Sequence, residues 1–122
     1  MKVSSPSETA LLGTPTAMAA AAAAELYGLD LDQIEYAAEM SIEHHLGLTC
    51  DPLCGLVQIP CIERNAIAAM RALNAVNLAD FLADSRMITF DMIVDTMYET
   101  GKDLKVIYRE TSEGGLAKLY GR

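Results

Sequence analysis

Residues 30–42 read DLDQIEYAAEMSI, and this stretch decides the fold class of the chain. Its apolar residues recur at intervals of three and four positions, which places them on one face of an α-helix. Asp30 is a residue type that caps a helix by accepting a backbone N–H, so the helix is expected to begin directly after it. Gly47 is expected to end the helix, because glycine tolerates the left-handed conformation found at such ends.

A second helix is predicted on the N-terminal side. Thr14 can cap a helix, and Pro15 suits the first helical position because no backbone N–H donor is needed there. The alanine-rich run that follows favours a helix as far as Tyr27, with Gly28 as its stop. Residues 1–13, with several serines and a proline, are predicted to be a poorly ordered lead-in.

The C-terminal half shows the same helical periodicity. Helices are predicted over about 61–81 and from Phe90 onwards, with a kink or an end at Gly101 and a further helical piece over 104–107. The tail from Thr111 is expected to be a loop because it contains adjacent glycines.

These segments together predict an all-α fold. Residues 14–122 are expected to form a single helical domain of four or five helices. An irregular loop rich in cysteine, proline and glycine, at about residues 47–60, interrupts the helical pattern.

The charge balance and the apolar runs exclude several functions. Seventeen acidic and nine basic residues give a net charge of −8, which disfavours binding to nucleic acid phosphates. No apolar run reaches the length of a membrane span, and the alanine run lacks the basic flank of a signal peptide. We therefore expect a cytoplasmic protein whose three cysteines are metal ligands, reactive thiols or core residues, and form no disulfides.

All three cysteines lie in the irregular loop or at its end. Cys50, Cys54 and Cys61 fall within twelve residues, among prolines and glycines that can curl the backbone and present its amides. Cys61 follows Pro60 at a predicted helix N-terminus, where the helix dipole lowers the pKa of a thiol. Because the thiolate is the form that binds a metal, the loop suits a soft metal centre.

The spacing alone leaves a second interpretation open. The pattern C-x3-C-x6-C lacks the paired C-x2-C of zinc ribbons, and no two histidines stand at zinc-binding spacing. His44 and His45 are adjacent, so on a helix they point about 100° apart and cannot both face one metal ion. A cysteine in a helical domain also often serves as a small buried apolar residue. On these residues alone, metal binding and structural or reactive thiols stand as equal alternatives.

Longer motifs around the cysteines carry a resemblance to a known family. The sequence reads EHHLGLTCDP over residues 43–52 and GLVQIPCIERNA over 55–66, followed by MYETGKD at 97–103 and YRETS at 108–112. These motifs resemble the cluster-binding region of bacterial iron–sulfur-dependent L-serine dehydratases. The resemblance extends over about residues 13–120, which makes it far more specific than a short pattern.

The resemblance implies a cofactor, a reaction and a partner. In that family the helical α-domain holds a [4Fe–4S] cluster through three cysteines. The open iron acts as a Lewis acid on the hydroxyl of L-serine, which is converted to pyruvate and ammonia. By position, Cys50 and Cys61 match two of the three ligands. The resemblance also implies a partner domain or β-chain, in a homo- or hetero-oligomer.

Three departures from the family pattern bear on activity. Counting back from Met18, the family's first ligand cysteine falls at Glu8, where no cysteine stands. The sequence up to Arg122 lacks the C-terminal cysteine that many members have, and it lacks the Ser-rich, His-containing substrate motif of the other domain. The chain thus resembles only the last part of the α-domain, and we expect it to be inactive without the missing domain and ligand.

The remaining site candidates each have a structural alternative. Cys54 either replaces the missing ligand or, as we prefer, is a small side chain packed in the loop, and an exposed thiol there would be open to oxidation. Arg64 is a candidate for binding the carboxylate of serine, or it forms an ion pair with Glu63. His44 or His45 hydrogen-bonds a cluster sulfur or the substrate, or is a satisfied histidine on a helix face, which we favour.

The alternative function comes from a different class of protein. It is a non-catalytic helical remnant or assembly module, whose cysteines stay reduced and bind no metal.

Overall fold

The computed structural model describes the backbone of residues 8–121 and the side chains of residues 12–121. Five α-helices follow one another along this part of the chain, which contains no β-strand. The helices are α1 (Glu8–Leu26), α2 (Leu31–Glu43), α3 (Cys61–Phe81), α4 (Phe90–Asp103) and α5 (Gly115–Tyr120). Short 3-10 turns lie at Leu53–Gly55, Ala83–Ser85 and Val106–Tyr108. The prediction of an all-α domain with four or five helices is confirmed.

Helix α2 begins where the sequence predicted. The Asp30 carboxylate accepts the N–H of Gln33 at 2.9 Å, and the Gln33 side chain accepts the N–H of Asp30 at 3.0 Å. This reciprocal pair satisfies two backbone donors at the helix start. The helix ends at Glu43, earlier than predicted, because the chain leaves it through a turn over residues 44–47. Gly47 closes that turn with a φ of +73°, a conformation that glycine adopts without strain.

Helix α1 begins at Glu8 and not at Thr14, so the predicted helix start is wrong. Of the predicted lead-in, residues 8–13 are helical. Residues 1–7 lie outside the described residues.

Pro15 lies inside α1, where its missing N–H removes one backbone hydrogen bond. Two contacts hold the helix together around it. The Thr16 hydroxyl donates to the carbonyl of Leu12, and the Leu12 side chain is buried against the bundle. Tertiary packing therefore extends the helix through a residue that, in sequence, indicates a helix start.

Small side chains let the first three helices pack closely. Ala20 and Ala24 of α1 are fully buried and belong to one core cluster with Ala37 of α2 and Ala79 of α3. Alanine brings helix backbones near one another, so the alanine run is the inner face of a tight helix contact. A second cluster joins α4 to α1 and α2, and its buried members are Ala17, Ala38, Ile42 and Ile93.

The C-terminal half agrees with the sequence at both ends of α3 and at the start of α4, and it departs from the sequence prediction from Gly101 onwards. Helix α3 begins at Cys61 and α4 at Phe90, as predicted. Gly101 lies within α4, which continues to Asp103. The predicted helical piece over 104–107 is instead a short 3-10 turn.

The tail from Thr111, predicted to be a loop, contains helix α5, so that prediction is wrong. Helix α5 is held by a contact with a residue that lies far from it in the sequence. The Asp51 carboxylate accepts the N–H of Leu116 at 2.6 Å, across 65 positions of the chain.

Within residues 8–121, no helix has both the length and the hydropathy that a membrane span needs.

A carboxyl group lies in the interior of the helix bundle. Glu39 on α2 is fully buried, and its carboxyl oxygens make no hydrogen bond to the described residues. Burial, followed by the negative charge of Glu43 one helical turn further on, raises the pKa of Glu39 from 4.5 to about 7. The folded chain therefore keeps a proton that the unfolded chain releases at lower pH.

The free energy of unfolding should fall as the pH rises from about 4.5 to about 7, and then level off, because only the folded state binds this proton in that window. Glu39→Gln, which is uncharged and similar in shape, should remove this dependence. At pH 8 the variant should be more stable than the wild type by about 3 kcal/mol, since the pKa of Glu39 rises from 4.5 to about 7 and one pKa unit corresponds to about 1.4 kcal/mol.

Urea unfolding of both proteins at pH 5 and pH 8 measures this difference. Glu25→Gln changes an exposed carboxylate on α1 and serves as the control. A gap between Glu39→Gln and wild type that is equal at both pH values would contradict the assignment.

Candidate functional site

Cys50 and Cys61 line the same cavity. Both side chains are buried, and the space between them measures about 420 Å³. Leu12 of α1 forms another part of its wall, and Glu110 and Ser112 line it from the segment before α5. The structure thus brings together the two residues that the sequence singled out as ligands, while their role in binding a metal stays a prediction.

The N-terminus of α3 forms one side of this cavity. Cys61 is the first residue of the helix, and the N–H groups of Ile62 and Arg64 in the first turn donate to the carbonyls of Gln58 at 2.8 Å and of Pro60 at 3.0 Å. One turn later, the Asn65 side chain donates to the Cys61 carbonyl at 2.8 Å and also lines the cavity.

Cys54 lies apart from the other two cysteines. It is exposed to solvent, is absent from the cavity wall, and has a φ of +54° inside the 3-10 turn. The expectation that it packs in the loop is wrong, because this turn presents its side chain to water. A left-handed backbone costs a residue with a β-carbon about 1–2 kcal/mol, so this position is strained for cysteine.

One buried carboxylate holds the loop in place. Asp51 is only 2% exposed, and its Oδ1 accepts from the Arg64 guanidinium at 3.0 Å and from the Thr49 hydroxyl at 3.4 Å. Its Oδ2 accepts the N–H of Leu116 at 2.6 Å. Asp51 therefore ties the cysteine loop to α3 on one side and to α5 on the other. Sequence reasoning missed this residue.

Gly115 makes the contact between Asp51 and α5 possible. Its φ is +55°, and a β-carbon at this position would lie 2.2 Å from the Asp51 Oδ2. Only glycine therefore leaves room for the carboxylate. The neighbouring segment is also joined to the loop, because the Cys50 N–H donates to the Tyr108 carbonyl at 2.8 Å and the Ser112 hydroxyl donates to the Pro52 carbonyl at 2.9 Å.

The Arg64 guanidinium takes part in the same network. It donates to the Thr49 carbonyl as well as to Asp51, so its ion pair is with the loop and not with the neighbouring Glu63. These contacts favour a structural role for Arg64. Binding of a substrate carboxylate by Arg64 stays a prediction.

His45 is buried at the end of α2. Its Nδ1 pairs with the Ser41 carbonyl at 2.5 Å, and burial lowers its pKa, which favours a neutral ring with the proton on Nδ1. His44 makes the equivalent contact with the Met40 carbonyl at 2.8 Å. Both histidines are therefore satisfied at the helix end, in line with the structural interpretation.

His45 and Arg64 nevertheless face a common space. Together with Arg71 they line a second cavity of about 130 Å³. Leu12 belongs to the walls of both cavities, so this smaller space adjoins the one between the two cysteines. The two residues proposed for the substrate are thus near the two proposed for the cofactor.

The ligand set for a three-cysteine cluster is incomplete among the described side chains. From residue 12 to residue 121, no group of three or more His, Cys, Asp or Glu side chains is placed to hold a metal ion. The cavity supplies two thiols. Position 8, where the family's first cysteine falls, lies on α1 one helical turn before the cavity residue Leu12.

Comparison with known proteins places the chain in a family. The family model described as serine dehydratase alpha chain matches residues 8–117. The chain therefore belongs to the serine dehydratase alpha-chain family, and the resemblance carried by the loop motifs is confirmed.

Several bacterial enzymes are similar to the chain over most of its length. L-serine dehydratase 1 of Escherichia coli K12 is 53% identical over 106 residues, which are 87% of this chain and 23% of that protein. L-serine dehydratase of Mycobacterium bovis is 54% identical over 106 residues, and that of Helicobacter pylori 49% identical over 107 residues. The chain spans about a quarter of the length of these relatives.

Asp51→Asn should lower the free energy of unfolding by about 3 kcal/mol, because a buried ion pair loses its negative charge while its surroundings stay desolvated. The same variant should speed the reaction of Cys50 with a thiol reagent, because the loop loses its tie to α5. Glu99→Gln, the same change in the exposed pair with Lys102, is the control and should alter neither quantity appreciably. Equal losses in the two variants would show that Asp51 does not hold the loop.

Cys54→Gly should raise the free energy of unfolding by about 0.5–1 kcal/mol, the balance between relief of the left-handed strain and the greater freedom of glycine in the unfolded chain. Cys54→Ala keeps a β-carbon and should give no such gain. Chemical denaturation measures both variants. Thiol labelling of the native wild type should show one fast-reacting cysteine that both variants lack, and a wild type without that fast phase would contradict the exposure of Cys54.

Proposed function

We propose that this chain is the cysteine-bearing part of an L-serine ammonia-lyase, which converts L-serine to pyruvate and ammonia with a [4Fe–4S] cluster. The main support is that Cys50 and Cys61, eleven positions apart, are both buried and line one cavity in a chain of the serine dehydratase family. The relatives that are named L-serine dehydratases match this cavity region as part of a much longer protein.

In this proposal Cys50 and Cys61 hold the cluster, which supplies a Lewis acid for the departing hydroxyl of serine. The chain's own residues prepare the site for it. Cys61 lies at the N-terminus of α3, so the positive end of the helix dipole faces the site. Asp51 keeps the loop that carries Cys50 against α3 and α5, so the distance between the two ligands is fixed before a cofactor enters.

Activity depends on two parts that the described residues do not supply. One is a third ligand, because Glu8 stands where the family has its first cysteine. The other is the polypeptide that makes up the remaining three quarters of the relatives, as a partner domain or β-chain in a homo- or hetero-oligomer. We further propose a cytoplasmic location, where the thiols stay reduced until they bind the cluster.

A second function is supported by specific observations. The side chains from residue 12 to residue 121 form no group of three metal-binding residues, and Glu8 is not a thiolate. A non-catalytic helical module, whose cysteines bind no metal, would have the same fold. The two functions differ in whether the chain takes up iron and sulfide.

Anaerobic reconstitution with ferrous iron and sulfide separates the two functions. Glu8→Cys should add the third thiolate and raise the bound iron and sulfide towards about four of each per chain. The wild type should bind less iron and sulfide than Glu8→Cys, and Cys61→Ala should bind the least. Iron and sulfide analysis and the visible absorption of the cluster give the result without any need for catalysis.

Glu8→Ser removes the same charge without adding a thiol, so it is the matched control and should behave as the wild type. A pyruvate assay with L-serine on each reconstituted sample tests the reaction itself. If Glu8→Cys stays colourless and all of its thiols remain titratable, the cluster proposal fails and the non-catalytic module is favoured.

A further inference from the structure

Helix α3 carries a second apolar face that packs against nothing in the described bundle. Its buried face contains Cys61, Ala68, Ala72 and Val76, which point into the core. On the opposite side, large apolar residues are exposed, namely Ile62 (62%), Met70 (66%) and Leu73 (44%). These three residues are spaced by eight and three positions, so they share one stripe of the helix. We call this stripe the outer α3 face.

A helix that is apolar on two sides is normally surrounded by protein. Single exposed apolar residues are common, but a continuous apolar stripe on a monomer indicates a contact surface. A shallow groove lined by Ala66, Ile67, Met70, Arg71 and Asn74 runs along the edge of the outer α3 face. The surface therefore has both the chemistry and the shape to receive a polypeptide segment.

The apolar surface continues from α3 to the cysteine cavity. The loop residues directly before the helix, Leu56 (57% exposed) and Val57 (77% exposed), extend it beyond Ile62. Val57 also lines the cavity that contains Cys50 and Cys61. A polypeptide that covers this surface would thus also cover the rim of the cavity.

We infer that the outer α3 face is the docking surface for the polypeptide that makes up the rest of an L-serine dehydratase, and that docking closes the cavity between Cys50 and Cys61. The inference rests on the proposed function. The length of the relatives identifies the occupant, because this region accounts for only 23% of L-serine dehydratase 1 of Escherichia coli. In that protein the equivalent helix has three quarters of the chain available to cover it.

Co-expression tests the surface directly. The tagged chain is produced together with L-serine dehydratase 1 of Escherichia coli from which the 106-residue matched segment has been removed. We expect the two polypeptides to co-purify. Met70→Lys should reduce the recovery of the partner roughly tenfold or more, because a charge at the centre of an apolar contact must be desolvated.

Met87→Lys is the matched control, because Met87 is also exposed (91%) but lies in the connection before α4. It should leave recovery unchanged. Ile62→Lys is a second variant on the same stripe and should act as Met70→Lys does. Circular dichroism establishes that each variant is folded.

Thiol labelling tests whether docking closes the cavity. In a Cys54→Ser background only Cys50 and Cys61 remain, so their rate of reaction reports access to the cavity. The rate should fall several-fold when the partner is bound, and Met70→Lys should abolish this protection.

Three results would overturn the inference: no recovery of the partner by the wild type, equal recovery by Met70→Lys, or self-association of the chain that Met70→Lys disrupts. The last would assign the surface to a second copy. Each of them leaves the iron and sulfide content of Glu8→Cys unaffected, so failure of this inference is distinguishable from failure of the proposed function.

Discussion

The buried carboxylate of Asp51 joins the cysteine loop to two helices, α3 and α5, that are far from each other in the sequence. Its two oxygens accept from Arg64 on α3, from Thr49 in the loop and from the backbone of Leu116 in α5. A charge at this depth is tolerated only because a guanidinium and an oriented N–H face it. The cysteine on its N-terminal side is thereby fixed beside the helix that begins with the other buried cysteine. The geometry of the cavity follows from this one group.

The helix bundle and the site make opposite demands on the sequence. In the bundle, alanines allow α1, α2 and α3 to approach closely, and almost any small apolar residue would serve. At the site, each conformation needs a particular residue, such as Gly115, where a β-carbon would collide with Asp51. Cys54 and Glu39 are the costly exceptions, because Cys54 has a left-handed backbone and the buried carboxyl oxygens of Glu39 have no hydrogen-bond partner among the described residues. The packing of the bundle therefore offsets the free energy of folding that is lost at Cys54 and Glu39.

Local signals were enough to predict most helix starts. The Asp30 cap, the position of Cys61 after Pro60, and the pattern beginning at Phe90 each involve residues within one turn of the helix end. The two helix starts that were predicted wrongly, those of α1 and α5, have a common cause. Helix α1 continues back through Pro15 because Leu12 is buried, and α5 forms because Asp51 accepts the N–H of Leu116 in its first turn. Apolar periodicity is assessed over a short stretch of sequence, so it indicates neither of these tertiary contacts.

The sequence by itself determined the helical class and the family, and it singled out Cys50 and Cys61 as candidate ligands, because periodic apolar residues and a long specific motif are properties of the linear chain. The tertiary structure alone decided which thiols share a cavity and that Cys54 does not line it. It also decided that Arg64 supports the loop through Asp51. These facts depend on distances between residues far apart in sequence, and such distances are fixed only when the helices pack.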